Sequence, residues 1–261
     1  ENISLRMAGR QQFQIIMVAL RKFDVINKNY GHQKGDEFLY HIATELRRII
    51  PEAEVFRFGN VEFALIVPFE SEETSKENYL AVKKRCRGTW SVEDIHTHIK
   101  TVFMYLEYLG QQSTPSQLMN HLEYAIQKAK EAPDQSLHFT ESGIREYEEE
   151  KKILEIMQQS VEQRRFRVWY QPVLHKGGSF SSAEALLRLN DYEGNPVPPS
   201  RFIPIAEESG LIDDLSWIVL EEVCELLEKN PESSLKSISI NLSMQQFADA
   251  GIEGRDRKSV V

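Results

Sequence analysis

The sequence has few cysteines and no excess of positive charge. Its two cysteines, Cys86 and Cys224, stand alone, without a CxxC pair or a histidine at ligand spacing. They are therefore predicted to be reduced thiols of a cytosolic fold rather than a disulfide or zinc framework. The formal net charge is −9, which argues against a nucleic-acid polymer or an anionic membrane as a general partner, while a local anion pocket stays open.

Long hydrophobic runs are also missing. The longest apolar runs, such as IIMVAL and WIVL, fall far short of the roughly 18 residues that a membrane-spanning helix needs. The N-terminus lacks the basic-then-apolar pattern of a signal peptide. We therefore expect a cytoplasmic protein with no membrane segment in this stretch. The sequence leaves undecided whether a sensor or membrane region lies upstream of it.

The chain of 261 residues has ordinary globular composition, with 41% hydrophobic and 27% charged residues, and its length favours two domains. Alternating patterns predict a first α/β unit with a buried strand at 13–23, a helix at 35–50, a hairpin at 55–67, a helix at 76–86, a strand at 100–109 and a helix at 114–131 capped by Thr114 or Ser116. A charged run at 145–163 predicts an inter-domain helix. After it the pattern restarts with strands at 167–174 and 180–189, helices through 202–210 and 215–229, and a strand at 237–243.

The segment FRFGNVEFALIV at 56–67 predicts two short strands around a Gly59-Asn60 corner, with Phe63 and Leu65 facing inward. Together with FDVINKNYGHQKGDEF at 23–38, it resembles the GGDEF domain of diguanylate cyclases, over about residues 8–140. Members of that family make cyclic di-GMP from two GTP molecules. An unrelated α/β domain with an accidental YGHQKGD is the alternative, but the order and spacing of the matched segments favour the family.

The resemblance implies a site whose carboxylates hold two metal ions. The family's hairpin motif falls on five consecutive residues, of which the third is apolar: Gly59, Asn60, Val61, Glu62 and Phe63. The other metal-binding aspartate of the family falls on Ala19, and its guanine-contacting aspartate falls on Lys28, whereas Asn27 matches the nucleotide-contacting asparagine. The arginine and aspartate of the family's product-sensing motif are replaced by Ile50 and Ala53. We therefore expect a degenerate domain that does not act as a diguanylate cyclase and is not inhibited by product at that second site.

Four further segments, WYQPV, EALLRL, FIPIAEESGLI and INLS, lie within residues 169–247. Their order and spacing resemble the EAL domain, a cyclic di-GMP phosphodiesterase family built as a TIM-like barrel. The resemblance implies that Glu184 and Asn241 are ligands of Mg²⁺ or Mn²⁺, hard cations that prefer oxygen. It also implies that Gln171 and Arg188 contact the dinucleotide, and a guanidinium fork suits a phosphate.

Each of these residues has a plainer interpretation. Glu184 could be a strand residue turned to solvent, Asn241 could cap a turn, and Arg188 could be a solvated strand end. The resemblance reverses that preference for Glu184 and Asn241. The large aromatic residues of this half are predicted to be core rather than nucleobase platforms: Trp169, Trp217 and Phe202.

The second resemblance is incomplete. A barrel of this type needs about 250 residues, and only about 100 follow the predicted linker helix. The family's later metal-binding carboxylates and its water-positioning lysine would lie beyond Asp249. Residues 251–261, GIEGRDRKSVV, are interpreted as a non-native tail, derived either from a sequencing adapter or from an engineered protease site.

The expected fold class is therefore α/β: a GGDEF-like sandwich with a central sheet, followed by the first part of an EAL-type barrel. The expected domains are residues 1–140, a linker helix at 141–165, the EAL segment at 166–250 and the tail at 251–261. An incomplete barrel should leave a strand edge unpaired, so the chain as given is expected to lack phosphodiesterase activity.

The expected function of the intact protein is hydrolysis of cyclic di-GMP to linear pGpG by a metal-dependent EAL domain. The GGDEF-like domain would then be a regulatory or dimerising module. The alternative is a non-catalytic sensor that binds cyclic di-GMP and acts through a protein partner. The expected small-molecule partner is cyclic di-GMP, and a homodimer is an arrangement left open.

Overall fold

The computed structural model describes residues 2–93, 95–110, 113–174, 180–231, 233, 235–243 and 246. The chain divides into two compact units, residues 1–147 and 148–261. The interpretation of residues 251–261 as a tail falls outside the described residues. None of the helices in the described part of the chain is both long and apolar enough to span a membrane.

The first unit is a mixed sheet with helices on both faces. Its strands are β1 (Phe13–Arg21), β2 (Glu54–Phe58), β3 (Glu62–Pro68), β4 (Trp90–Val92), β5 (Ile95–Thr97), β6 (Lys100–Tyr108) and β7 (Ser136–His138). Its helices are α1 (Asn2–Ala8), α2 (Asp24–Tyr30), α3 (His32–Ile49), α4 (Glu72–Cys86) and α5 (Pro115–Glu131). The sheet order is β2-β3-β1-β6-β7, while β4 and β5 pair separately. This confirms the predicted α/β unit.

Strand β1 lies at the centre of the sheet, antiparallel to β3 and β6. Eight of its nine residues are buried, because apolar clusters cover both of its faces. Ile16 and Val18 pack with Phe38 of α3 in one cluster, and Ile15 and Met17 belong to the other, which includes α5. A strand buried on both faces needs a continuous apolar run rather than an alternating one, which is the pattern at 13–20.

The predicted hairpin is confirmed. Strands β2 and β3 pair antiparallel with Phe58 opposite Glu62, so the connection is the turn 59–61. Gly59 has a φ of +72°, a conformation that glycine adopts without steric cost. Phe63 and Leu65 are 1% and 0% exposed and belong to the α3-side cluster, as the sequence predicted.

Five short elements of the first unit were not predicted from the sequence: α1, α2, β4, β5 and β7. Strand β7 pairs in parallel with β6, with Phe103 opposite Ser136. Lys83 of α4 reaches this edge and forms an ion pair with Asp134 at 3.0 Å. Hydrogen bonds from Ser136 and Lys83 lower the pKa of Asp134 to about 2, so that carboxylate is charged throughout the neutral range.

The two thiols are free, Cys86 buried and Cys224 exposed. Burial raises the pKa of Cys86 to about 12, so its thiol is neutral and behaves as a small apolar side chain. The prediction of free thiols is confirmed.

The second unit begins within helix α6 (Glu141–Glu162), which covers most of the charged run predicted to be helical. Its other elements are β8 (Arg167–Leu174), β9 (Phe180–Asn190), β10 (Pro196–Val197), α7 (Pro199–Ser209), α8 (Ile212–Lys229) and β11 (Ser237–Ile240). Strand β9 pairs antiparallel with β8 and parallel with β11. The predicted strand at 237–243 therefore ends at Ile240, three residues early.

Helices cover one face of this second sheet. Phe202 of α7 is fully buried and packs with Met157 of α6 and Leu189 of β9, which confirms its predicted core position. A smaller cluster joins Ala185 of β9 to Val219 of α8. Within the described part of the unit, β8 and β11 are each paired only with β9, so the sheet is not closed into a barrel.

Replacing Phe63 with alanine should destabilise the first unit by about 3–5 kcal/mol, because it removes a fully buried aromatic ring and leaves a cavity. Phe56→Ala is the matched control, since Phe56 is 37% exposed and should cost about 1 kcal/mol. Urea unfolding followed by circular dichroism measures both values. Equal midpoints for the two variants would contradict the assigned packing of Phe63.

Candidate functional site

The second sheet has one apolar face and one polar face. Along β9, Ala183 and Ala185 are 5% and 3% exposed, and Ala185 contacts the apolar residues of α8. Side chains alternate along a strand, so Glu184 and Arg188 project from the opposite face. That face is not covered by α7 or α8, and it carries all four residues implied by the second resemblance.

Strand pairing brings Gln171 and Glu184 together. They are directly opposite partners in the antiparallel pair of β8 and β9, and directly opposite residues share a face with their Cβ atoms about 5 Å apart. Glu184 lies in the middle of β9. Strand β9 continues beyond it to Asn190, along its pairing with β8 and β10.

Asn241 completes this arrangement from the third strand. It follows β11 directly, and its Nδ2 donates a hydrogen bond of 2.6 Å to Glu184 Oε1 across 57 residues of sequence. The parallel pairing of Ser239 with Glu184 accounts for this contact, because it sets Asn241 two residues beyond Ser239 on the same face. The structure therefore brings together the two residues predicted to be metal ligands.

Arg188 stands further along the same face of β9. Its NH1 group donates a hydrogen bond of 2.9 Å to the carbonyl oxygen of Leu187, and its guanidinium carbon lies 5.3 Å from the centroid of the Trp169 ring. Trp169 is 61% exposed, so the prediction that it belongs to the core is wrong. The alternation of side chains along β8 could have predicted this position, because Trp169 lies two residues before Gln171 and so projects from the polar face.

The loop after β11 is held by a buried glutamine that the sequence analysis did not identify. Gln246 is 5% exposed. Its Oε1 accepts a 3.0 Å hydrogen bond from the backbone N–H of Ser243, and its Nε2 donates to Asp213 Oδ1 at 3.0 Å. Gln246 therefore ties the segment that follows Asn241 to the start of α8.

A cavity of about 260 Å³ lies behind the ends of β9 and β11. Its walls include Phe202, Leu215 and Val219, and two of the candidate residues, Arg188 and Asn241, also line it. Ligand pockets usually enclose about 300–1,000 Å³ and are lined mainly by apolar side chains with a few polar groups. This cavity is smaller than that and adjoins the polar face at Arg188 and Asn241, so we place the candidate site on the polar face.

The first unit holds the other candidate site, at the tip of the hairpin. Ala19 is 2% exposed and lies in the apolar cluster that includes α5. Its antiparallel partner is Glu62, and Val61 accepts a backbone hydrogen bond of 3.0 Å from Leu20. The two positions that the first resemblance assigns to metal-binding aspartates are thus close together, and both carry apolar side chains.

The remaining carboxylate of this site has a cationic neighbour. Glu62 Oε1 lies 3.5 Å from Lys130 Nζ, so one positive and one negative charge balance there. The contact between Glu62 and Lys130 was not predicted from the sequence, since Lys130 lies on α5, far from the hairpin along the chain. A site with one carboxylate already paired offers little anionic charge to two divalent cations.

The matched asparagine and its neighbour differ in environment. Asn27 of α2 packs so closely on Gly35 that a Cβ atom there would lie 2.0 Å from its Oδ1. Lys28 is exposed and pairs with Asp24 at 3.0 Å. At the corner, Arg57 Nε donates to the carbonyl oxygen of Asn60 at 3.0 Å, which holds the turn closed.

The side chains present at each of the two sites decide whether that site could bind a divalent metal ion. Glu184 and Asn241 each carry an oxygen of the kind that Mg²⁺ or Mn²⁺ prefers, and the contact between the two side chains is the hydrogen bond from Asn241 Nδ2 to Glu184 Oε1. The described residues contain no group of three or more His, Cys, Asp or Glu side chains that could hold a metal. The polar face of the second unit therefore offers part of a ligand set, and the hairpin of the first unit offers less.

Comparison with protein families identifies both halves of the chain. The family model described as diguanylate cyclase, GGDEF domain, matches residues 2–136. The EAL domain model matches residues 154–258. The two domains therefore follow one another in the order that the sequence motifs predicted.

Curated proteins with similar sequences match this chain over only part of their own length. The chain is 29% identical over 258 residues to the bifunctional diguanylate cyclase/cyclic di-GMP phosphodiesterase MucR of Pseudomonas aeruginosa, with 96% of this chain and 37% of MucR covered. It is 25% identical over 254 residues to the cyclic di-GMP phosphodiesterase PdeR of Escherichia coli, with 95% of this chain and 38% of PdeR covered. The chain thus spans a little over a third of the length of these relatives.

A solved structure shares the fold. The S helix-GGDEF-EAL structure of Vibrio cholerae LapD, bound to c-di-GMP, matches with a TM-score of 0.55 and 16% identity. The match covers 95% of this chain and 59% of the LapD chain. At that identity the likeness concerns the fold alone.

Restoring a carboxylate at Ala19 should destabilise the first unit. Ala19→Asp would place a charge in an apolar cluster beside Glu62, at a cost on the order of 3 kcal/mol at pH 7. Val61→Asp is the matched control, because Val61 is only partly buried and its replacement should cost about 1 kcal/mol.

Urea unfolding at pH 7 and at pH 3 measures both effects. Burial raises the pKa of an introduced carboxyl in the folded state, so the penalty is present at neutral pH, shrinks as the pH falls through that raised pKa, and is gone below the unfolded value of about 4. An Ala19→Asp variant as stable as the unmodified chain at pH 7 would show that this position tolerates charge.

Proposed function

Because the chain belongs to the GGDEF domain family and carries an EAL domain segment after it, we propose that the protein hydrolyses cyclic di-GMP to linear pGpG in its EAL domain. The observation that carries the proposal is the 2.6 Å contact between Glu184 and Asn241, with Gln171 directly opposite Glu184. In this proposal the GGDEF domain is a regulatory or dimerising module without cyclase activity.

The residues of the polar face have distinct roles in this reaction. The Glu184 carboxylate and the Asn241 amide oxygen would hold a Mg²⁺ or Mn²⁺ ion, which when bound polarises the phosphoryl group and lowers the pKa of an attacking water. Arg188 presents a planar set of donors that matches two phosphate oxygens. Gln171 is exposed on the same face and can donate to or accept from the dinucleotide.

A second candidate function is a sensor that binds cyclic di-GMP without cleaving it and acts through a protein partner. The observation that favours it is that Gln171 and Arg188, the two groups suited to the dinucleotide, stand on the polar face without depending on a metal. Binding needs Arg188 and Gln171 but not a complete metal site, so measurements of binding and turnover separate the two functions.

The chain should not synthesise cyclic di-GMP. Ala19 and Val61 stand where the family supplies anionic metal ligands, and the loss of that charge neutralisation should cost several kcal/mol in the transition state. The measurement is incubation with GTP and Mn²⁺ followed by chromatography, also at high protein concentration, because the reaction joins two GTP molecules. A catalytically active GGDEF domain is the positive control, and product above the level without enzyme would refute the prediction.

Glu184→Gln in the full-length protein should abolish hydrolysis of cyclic di-GMP while the fold is retained. The substitution removes one negative charge at nearly constant volume, so metal binding is lost without a packing defect. Arg188→Ala should mainly weaken binding, by about tenfold or more, because a charge-assisted hydrogen bond is worth about 1.5–3 kcal/mol.

Glu228→Gln is the matched control, since Glu228 is an exposed carboxylate on α8 and its loss should leave turnover unchanged. For each variant, calorimetry measures the binding of cyclic di-GMP, and the release of pGpG measures turnover. Binding without turnover in the unmodified protein would favour the sensor, and full turnover in Glu184→Gln would exclude the metal role.

A further inference from the structure

Trp169 is a large aromatic side chain in an unusual position. It lies in β8 with 61% of its surface exposed, on the face that carries Gln171, Glu184 and Arg188. Trp90, in contrast, is fully buried and its Nε1 donates to the Cys86 carbonyl oxygen at 3.2 Å. Trp90 is therefore part of a core, whereas Trp169 lies on the polar face beside Arg188.

The neighbour of Trp169 is Arg188, a cation with several hydrogen-bond donors. The Arg188 guanidinium carbon lies 5.3 Å from the indole centroid, within the range of a cation–π interaction. The hydrogen bond from NH1 to Leu187 uses one of its donors, out of the five that a guanidinium carries. Two contacts thus hold the Arg188 fork in place and leave donors for a phosphate.

An aromatic face next to a fixed guanidinium suits a nucleotide, because the base stacks on the ring while the phosphate binds the cation. A lipid chain would use the indole as apolar surface, but it would leave Gln171 and the remaining Arg188 donors without a polar partner. A purine nucleotide with a phosphodiester satisfies both kinds of group. The chemistry of the whole face therefore selects this ligand class.

We propose that Trp169 is a base-stacking residue of the ligand site, against which one purine of a cyclic dinucleotide packs while Arg188 binds the adjacent phosphate. The inference rests on the proposed function and adds to it the residue that holds a base. Because every base has a π face, this contact contributes affinity for the base without distinguishing guanine from adenine.

The test compares Trp169→Phe and Trp169→Ala in the full-length protein, with Trp217→Phe as the matched control. Cyclic di-GMP should change the tryptophan fluorescence of the unmodified protein and of Trp217→Phe, and this change should be lost or much reduced in Trp169→Phe. Stacking on an aromatic side chain is worth about 1–3 kcal/mol per base, so Trp169→Ala should bind roughly 5- to 150-fold more weakly in calorimetry. Trp169→Phe keeps an aromatic face and should retain most of the affinity.

The outcomes separate this inference from the proposed function. Unchanged affinity in Trp169→Ala, together with weaker binding in Arg188→Ala, overturns the stacking role and leaves the proposed function standing. A fluorescence change that persists in Trp169→Phe also overturns it, even if Trp169→Ala fails to fold. No binding of cyclic di-GMP by the unmodified protein overturns both, and equal losses in Trp169→Phe and Trp169→Ala indicate a packing role for the indole.

Discussion

The alternation of side chains along β9 is the constraint on which the polar face of the second unit depends. Ala183 and Ala185 are buried on the helix side, so Glu184 must lie on the other face. A shift of pairing by one residue would exchange the faces and place the carboxylate against the apolar residues of α8. Burial of small apolar side chains therefore sets the register, and the positions of Glu184 and Arg188 follow from it.

Burial also explains why the first unit folds with apolar residues at Ala19 and Val61, the positions that the first resemblance assigns to metal ligands. Strand β1 packs into apolar clusters on both faces, and an alanine at position 19 fits that environment without a desolvation penalty. The hairpin depends on Gly59 for its turn and on Phe63 for its burial. None of these contacts requires a carboxylate at the tip, so the packing does not depend on aspartate at either position.

The two candidate sites therefore differ in what they offer a ligand. In the first unit, the carboxylate of Glu62 is balanced by Lys130, and the surrounding residues are apolar. In the second unit, a carboxylate and an amide are in contact, and a guanidinium stands beside an exposed indole. Charge and aromatic surface are both concentrated on the second sheet, which is why the proposed chemistry and the proposed base contact lie there.

Local sequence patterns were enough to predict three elements: the apolar run of β1, the helical spacing of α3 and the Gly59 corner. Motifs in two separate segments also predicted Glu184 and Asn241 as candidates. Strand pairing was needed to show that these two side chains meet across 57 residues, and packing was needed to show that Trp169 is exposed while Phe202 is buried. Short elements such as β7 were likewise beyond the sequence, because a strand of three residues exists only through its pairing with β6. The physical reason is that periodicity shows which side chains share a face, whereas contact and exposure depend on the register between strands and on what packs against that face.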